Sequence, residues 1–172
     1  MKKYTKINKL DYREFDSSDF NEVFKIFLEF QLVNKMSDWD NPVKGVSDMM
    51  KHTYWITEFM TFTKRCRYKY VVIDTETQDM VGFIYFSEGV FSVRSEVLEL
   101  QLICKKTKYR FCLEMKRCLE SVIDIIRNDR KVYAVLGERE KFDKYLKFLK
   151  KVFNVKVLDK DQFGNTLIEF DY

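Results

Sequence analysis

Residues 93–136, VRSEVLELQLICKKTKYRFCLEMKRCLESVIDIIRNDRKVYAVL, contain the pattern that decides the fold. Alternating polar and apolar side chains over residues 93–104 predict a strand. An apolar stripe at helical spacing then predicts an amphipathic helix over residues 107–127. The nearly all-apolar residues 132–136 predict a second strand, which neighbouring helices cover on both faces. A strand, a helix and a strand in this order indicate one parallel crossover.

The residues on either side of this segment predict a larger mixed sheet. Residues 10–15 predict a short strand, and residues 20–30 repeat apolar side chains at helical spacing behind a capping pair, Asp19 and Glu22. Residues 34–44 predict a loop. The remaining predicted elements are a helix over 47–65, strands over 68–75 and 80–87, a helix over 138–150, and strands over 152–158 and 165–170.

Together these elements predict one domain over residues 1–172, of the α/β (α+β) class. Their order is strand, helix, helix, three strands, helix, strand, helix, strand, strand. Hairpins join most neighbouring strands, and one crossover is parallel. The sequence therefore predicts a mixed, mostly antiparallel central sheet flanked by helices.

The composition is that of a globular protein. The 172 residues include 31 Lys and Arg and 27 Asp and Glu, a net charge of +4, and 46% of residues are apolar. This balance excludes a disordered or collagen-like chain. Charges of both signs are interspersed, so we expect no nucleic-acid partner. We see neither a secretory signal nor an apolar run that could span a bilayer, and we expect a cytoplasmic protein without a membrane partner.

The four cysteines and the single histidine form no metal-ligand pattern. No CxxC pair occurs, and His52 cannot complete a usual zinc set with Cys66, Cys104, Cys112 and Cys118. We therefore expect reduced, mostly buried thiols and no metal ion.

Four segments carry a resemblance to a known family. They are Asp11-Tyr12-Arg13-Glu14-Phe15 with Ser18-Asp19-Phe20, Val81-Gly82-Phe83-Ile84, residues 96–104 running into Tyr109-Arg110, and Val152-Phe153-Asn154-Val155. With the order of elements, they resemble the GNAT superfamily of acyl-CoA-dependent N-acetyltransferases over nearly the whole chain. The resemblance implies that the strand at residues 97–104 diverges from residues 132–136 and leaves a gap for acetyl-CoA.

The same resemblance implies a reaction and its residues. An acetyl group would pass from acetyl-CoA to an amine on a small molecule or a protein. Glu99 would be the general base, acting through water, and Tyr145 the general acid, although counting back from residue 152 puts Phe148 at that position. The implied cofactor-binding residues are Leu102, Ile103, Cys104, Lys106, Lys108, Tyr109, Arg110, Phe111 and Cys112.

The implied pyrophosphate loop departs from the family's pattern, which is Arg or Gln, two residues, Gly, one residue, then Gly or Ala. Anchored on Arg110, this pattern places Leu113 and Met115 at the small residues, and no glycine occurs between Val90 and Leu136. Glycine matters in such a loop because backbone amides and a helix N-terminus hold the phosphates, and side chains would block their approach.

Two functions therefore stay open. One is a divergent N-acetyltransferase, in which Lys105, Lys106, Lys108 and Arg110 attract the phosphates. The other is an inactive binding or structural protein, such as a phage-encoded, virion-associated one, in which these cations form a solvated loop and the partner is a protein.

Two single residues also allow two interpretations. Glu99 is either a base or a solvent-facing strand residue. Cys112 is either a thiol of lowered pKa at a helix N-terminus or a packing residue.

Overall fold

The computed structural model describes residues 9–33, 45–88, 97–110, 112–126, 128, 130–136, 142–160 and 166–171. Its strands are β1 (Leu10–Glu14), β2 (Cys66–Asp74), β3 (Met80–Glu88), β4 (Val97–Cys104), β5 (Lys131–Leu136), β6 (Val155–Lys160) and β7 (Thr166–Phe170). Its helices are α1 (Phe20–Val33), α2 (Asp48–Arg65), α3 (Thr107–Arg110), α4 (Leu113–Ile126) and α5 (Phe142–Val152).

All seven strands form one sheet in the order β1-β2-β3-β4-β5-β7-β6. The β4 and β5 strands run parallel, and every other neighbouring pair is antiparallel. The predicted mixed, mostly antiparallel sheet is therefore confirmed. Among the described residues, no helix is long and apolar enough to cross a membrane.

The sheet separates two apolar cores. The stripe predicted for the central helix packs on one face, where Met115 and Val122 of α4 meet Leu98 and Leu100 of β4. On the other face, α1 and α2 cover β2 to β4, and Phe59 of α2 is fully buried there. Both faces of β4 are thus covered, and on the face of α1 and α2 Glu99 is buried while Gln101 is half-buried.

Gly82 lets β3 approach β4 closely at the end of the hairpin. A Cβ atom at Gly82 would lie 2.6 Å from the carbonyl oxygen of Ile103 and 3.2 Å from the Cα of Cys104. Both are backbone atoms of the neighbouring strand and cannot move aside without shifting that strand. The glycine in the Val81-Gly82-Phe83-Ile84 segment is therefore required by packing.

The start of α1 corrects the predicted capping pair. A 3-10 turn, Ser17–Asp19, precedes α1, and its capping box joins Asp16 and Asp19, not Asp19 and Glu22. The Asp19 carboxylate accepts hydrogen bonds from the Asp16 amide at 2.8 Å and from Arg13 at 2.7 and 2.8 Å. The hydrogen bond from Arg13 lowers the pKa of Asp19. This contact ties the end of β1 to the start of the helix.

Several other predicted boundaries are wrong. The single helix predicted over residues 107–127 is two helices, α3 and α4, and the chain bends at Cys112 before α4 begins. The last helix continues to Val152, so the strand predicted over residues 152–158 begins at Val155 and ends at Lys160. The β2 strand starts two residues before its prediction, at Cys66.

Several predicted segments lie outside the described residues. These are the loop at residues 34–44, the first part of the strand at 93–96, the helix start at 138–141 and most of the turn at 159–164.

Candidate active site

The β4 and β5 strands pair over three residues and then separate. The paired residues are Val97 with Lys131, Leu98 with Val132, and Glu99 with Tyr133. Beyond Glu99, β4 continues beside β3 to Cys104, while β5 continues beside β7. The predicted divergence is therefore confirmed. Separated strands turn backbone N–H and C=O groups toward the gap, where an extended ligand can bond to them as a strand would.

Glu99 lies at the last paired position, where the gap begins. Its side chain is 5% exposed, because the face of β4 that carries it is the face that α1 and α2 cover. Burial raises the pKa of Glu99 to about 7, although a hydrogen bond of 2.7 Å from Gln101 Nε2 opposes the shift. Burial rules out the alternative of a solvent-facing strand glutamate. A carboxyl group with this pKa exchanges protons near neutral pH.

A row of side chains crosses the sheet through Glu99. Residues that lie directly opposite each other on neighbouring strands point to the same face of a sheet. Pairing from β2 to β6 joins six such residues, which we call the polar row: Cys66, Ser87, Glu99, Tyr133, Glu169 and Lys156. The row crosses the sheet at the point where β4 and β5 separate.

Beyond Glu99, the row contains a hydrogen-bonded network. The Tyr133 hydroxyl donates to Glu169 Oε2 at 2.7 Å, and Lys131 Nζ donates to Glu169 Oε1 at 3.0 Å. The bond from Tyr133, and after it Lys131, lowers the pKa of Glu169. At neutral pH, Glu169 is therefore ionised, while Glu99 is close to half protonated. Sequence reasoning missed Tyr133 and Glu169, because only the pairing of β5 with β7 brings them together.

Residues that follow β4 form hydrogen bonds with one another between Lys106 and Met115. The amides of Tyr109 and Cys112 donate to the carbonyls of Lys106 and Tyr109 at 3.0 and 3.4 Å. The Cys112 thiol donates to the Tyr109 carbonyl at 3.1 Å and accepts from the Met115 amide at 3.3 Å. Cys112 thus caps α4 with its own sulfur, and burial raises the pKa of its thiol. The interpretation of Cys112 as a thiol of lowered pKa is wrong.

The two residues at the glycine positions of the family pattern point in different directions. Leu113 is 55% exposed at the first residue of α4, and Met115 is 1% exposed in the core beneath the sheet. Neither position is a glycine, and the cap of Cys112 occupies the amide of Met115. The Met115 amide is therefore not free to bind a phosphate at the start of α4.

The three lysines of the predicted basic cluster are all exposed. Lys105 Nζ also lies 3.5 Å from a carboxylate oxygen of Glu22 in α1. Lys108 Nζ lies 4.8 Å from the centre of the Tyr109 ring. Lys105, Lys106 and Lys108 thus all present ammonium groups to solvent, and Lys105 shares its charge with Glu22.

The structure places the other predicted residues as follows. Ile103 and Cys104 are buried on opposite faces of β4, and Leu102 is half-buried. Arg110 ends α3 and Tyr145 lies in α5, but their side chains, like Phe111, are outside the described part of the chain. From Glu99 to the end of β4 is roughly 16 Å at the rise of an extended strand. The acidic centre and the lysines therefore lie near opposite ends of the gap.

The four cysteines, all among the described residues, are buried and form no disulfide. In the described ranges, no group of three or more His, Cys, Asp and Glu side chains could hold a metal ion.

Comparison with known proteins identifies the fold. No protein-family model matches the sequence, and no curated protein matches it. Solved structures do match. An acetyltransferase of the GNAT family from Staphylococcus aureus is 16% identical, with a TM-score of 0.60 over 94% of this chain and 98% of that one. A mutant of the spermidine N-acetyltransferase from Vibrio cholerae is 14% identical, with a TM-score of 0.57 over 95% and 93%.

A domain from Methanocaldococcus jannaschii gives a TM-score of 0.63 at 13% identity, over 95% of this chain and 99% of that one. The fold is that of the GNAT acetyltransferases. The separation of β4 and β5 agrees with the divergence that the resemblance implies.

Acetyl-CoA fits one part of the GNAT-fold site and not another. Residues 100–104 pair with β3 but not with β5, so the backbone groups on that edge of β4 suit an extended, amide-containing arm. The start of α4 does not suit the pyrophosphate in the usual way, since Cys112 and Tyr109 occupy the nearby backbone groups. The phosphates of an acetyl-CoA would therefore depend mainly on side-chain cations for binding.

Proposed function

We propose that this chain is an N-acyltransferase that transfers an acetyl group from acetyl-CoA to an amine acceptor. The observation that carries the proposal is Glu99, a buried carboxyl group with a pKa of about 7 at the point where β4 and β5 separate. A general base is most effective when its pKa is near the working pH, and enzymes raise glutamates to this range by burial. A carboxyl group that served packing alone would not need this position.

Glu99 acts in this proposal as the base for the acceptor. The amine nitrogen forms a bond to the acyl carbon, the bond from that carbon to sulfur breaks, and the proton lost by nitrogen passes through water to the Glu99 carboxylate. Acetyl-CoA supplies the activated acyl group as a thioester. Tyr145 stays a prediction as the group that returns a proton to the departing thiolate, because its side chain is outside the described residues.

The donor is held along β4. Residues 102–104 lie beside the gap, and the backbone of β4 bonds the arm there. Lys106 and Lys108 attract the pyrophosphate, together with Arg110 as predicted from the resemblance. Tyr109, Phe111 and Cys112 shape the same segment. Because an ion pair between an exposed lysine and a phosphate contributes little free energy in water, we expect acetyl-CoA to bind weakly.

The acceptor is an amine on a small molecule or a protein. One structural neighbour is a spermidine N-acetyltransferase, whose substrate is an amine, and this agrees with a base that removes a proton from nitrogen.

The test is an acyl-transfer assay with acetyl-CoA and a panel of primary amines and peptides, read by release of free CoA thiol and by the acceptor's mass. The wild-type protein is expected to acetylate at least one acceptor, and Glu99→Gln is expected to abolish it. Glu76→Gln, which changes an exposed carboxyl group in the β2–β3 turn, is the matched control. Equal activity of wild type and Glu99→Gln would contradict the proposal.

A binding protein without catalysis is the second candidate, and the cap of Cys112 is the observation that favours it. A chain that no longer binds acyl-CoA can satisfy the start of α4 with its own thiol, as this one does. Its partner would be a protein. A calorimetric titration that shows no acetyl-CoA binding at millimolar concentration would select this function over the first.

A further inference from the structure

Two buried hydroxyl groups beside Glu99 have no hydrogen-bond partner among the described residues. They are Tyr85 Oη and Ser87 Oγ, and both residues are 0% exposed. A buried hydroxyl group without a partner is destabilising, so native proteins rarely leave one unsatisfied. An ordered water molecule is the usual partner in such a site.

Both hydroxyl groups belong to the face of the sheet that carries Glu99. Ser87 lies directly opposite Glu99, and Tyr85 lies directly opposite Gln101, two residues further along β4. On the far side of Ser87, Cys66 of β2 is its partner in the polar row. The Tyr85 ring is held between aromatic rings, with Phe62 of α2 stacked on it at 6.0 Å. The phenol is therefore fixed in place.

We infer that Tyr85 and Ser87 hold one buried water molecule against the Glu99 carboxyl group and so act as positioning residues for proton transfer. Three oxygen atoms then surround the water, which is within the two to four partners that buried waters make. The role in proton transfer rests on the proposed function. When the acceptor nitrogen loses its proton, the water takes it and gives one of its own to Glu99, so the water itself is unchanged.

The groups around Tyr85 and Ser87 favour a neutral water molecule over an ion at this site. The Tyr85 phenol has its pKa raised by burial first and then by Cys66 and Asp19, so it stays protonated and can donate or accept. The α2 helix faces this part of the sheet with Phe59 and Phe62, which carry no charge. The ionisable groups that share the polar row with Glu99 are Cys66, Tyr133, Glu169 and Lys156. Lys69 lies opposite Tyr85 on β2, and Asp19, which binds Arg13, acts on the Tyr85 phenol.

The test removes each hydroxyl group and follows Glu99 directly. Tyr85→Phe and Ser87→Ala delete one oxygen each and keep the packing, and Tyr70→Phe deletes a phenol oxygen on the opposite face of the sheet as the control. The Glu99 carboxyl carbon is titrated by NMR, and the free energy of unfolding is measured in urea.

A water that donates to Glu99 stabilises its charged form, so its loss is expected to raise the pKa of Glu99 by roughly one pH unit in both variants. Tyr70→Phe is expected to leave that pKa unchanged. Tyr85→Phe and Ser87→Ala are also expected to lower stability. If either variant is more stable than wild type, or leaves the pKa of Glu99 where it was, the hydroxyl groups are unpartnered and the inference is wrong. Both readouts work without an acceptor, so the inference and the proposed function can fail separately.

Discussion

The two ends of the gap between β4 and β5 differ in what they offer a ligand. At the vertex, by which we mean the point at Glu99 where β4 and β5 separate, Glu99 is buried with a pKa raised to about 7. It lies in the polar row. At the other end, Cys112 caps α4 and the remaining charges are exposed lysines. The end proposed to react thus holds a buried carboxyl group, while at the end proposed to bind the phosphates the Met115 amide is taken up by the chain's own cap.

Under the proposed function, this difference means that the chain keeps a base without the usual cradle for its donor. A carboxyl group at the vertex needs only the strand register and a covering layer of helices. A pyrophosphate cradle needs unoccupied amides, and those depend on glycine in a short loop. The vertex and the loop can therefore change independently.

The largest expected effect is at the vertex. Glu99→Gln removes the base and keeps the shape of the side chain, so kcat/KM is expected to fall roughly 10²–10⁴-fold while acetyl-CoA affinity stays the same. Steady-state kinetics and calorimetry measure the two quantities. A parallel loss of acetyl-CoA affinity would mean that Glu99 belongs to donor binding, and the contrast between the two ends would disappear.

The pH dependence is expected to follow the same residue. Because burial raises the pKa of Glu99 to about 7, kcat/KM is expected to fall about tenfold for each pH unit below that value and to be level above it. Glu99→Gln is expected to lose this limb of the profile. A wild-type kcat/KM that does not change between about pH 5 and 8 would show that no group at the vertex titrates during turnover.

The free energy of unfolding is expected to fall as the pH rises, whereas kcat/KM is expected to rise. The pKa of Glu99 is raised from 4.5 to about 7, so the folded chain holds this proton more tightly than the unfolded chain. The free energy of unfolding therefore falls as the pH rises through this window, by at most on the order of 3 kcal/mol. Urea unfolding of wild type and Glu99→Gln checks it. A wild-type curve parallel to that of the variant would contradict the burial of the charge.

A smaller effect is expected from the lysines after β4. Wild-type acetyl-CoA affinity is expected to be no tighter than roughly 100 μM, about −5.5 kcal/mol. Lys106→Glu with Lys108→Glu is expected to weaken it about tenfold, because two attractions become repulsions. Lys25→Glu with Lys147→Glu makes the same change in charge on exposed positions of α1 and α5 and serves as the control. Low-micromolar wild-type affinity that Arg110→Glu abolishes would mean that the missing glycines matter little.

The smallest expected effect tests the cap itself. Cys112→Gly releases the Met115 amide that the thiol now occupies, so acetyl-CoA affinity is expected to improve by about threefold, the contribution of one hydrogen bond. Cys112→Ser keeps an oxygen that can cap the helix and is expected to give no improvement. Equal affinity of the two variants would show that the amide is not available to the phosphates in any case.

The sequence predicted the mixed sheet, its parallel crossover and the face of β4 that carries Glu99 for a physical reason. Strand periodicity sets Glu99 on the face opposite Leu98 and Leu100, and the parallel crossover sets β4 beside β5. That alternation left open whether the glutamate was exposed, because burial depends on α1 and α2, which pack from elsewhere in the chain. Tyr133 and Glu169 were not predictable, since their pairing joins strands far apart in sequence.

The two wrong helix starts have local causes. Asp16 and Asp19 have the same spacing as Asp19 and Glu22, so sequence spacing alone does not choose between two capping boxes. The apolar stripe runs through Cys112 without interruption, and the stripe says nothing about a thiol that bonds to backbone groups on both sides. Competition between side chain and main chain for hydrogen bonds decided both boundaries.

The alternation around Glu99 also bears on how the chain reaches its correct strand register. A slip of β4 by one residue turns every side chain of the strand to the other face. Glu99 would then lie in the apolar layer beneath α4, and Leu98 and Leu100 would take its place in the polar row. A carboxyl group moved into such a layer costs several kcal/mol, so the misaligned sheet is penalised during folding. Glu99, which we propose acts on the acceptor, thus also disfavours the wrong register of β4 during folding.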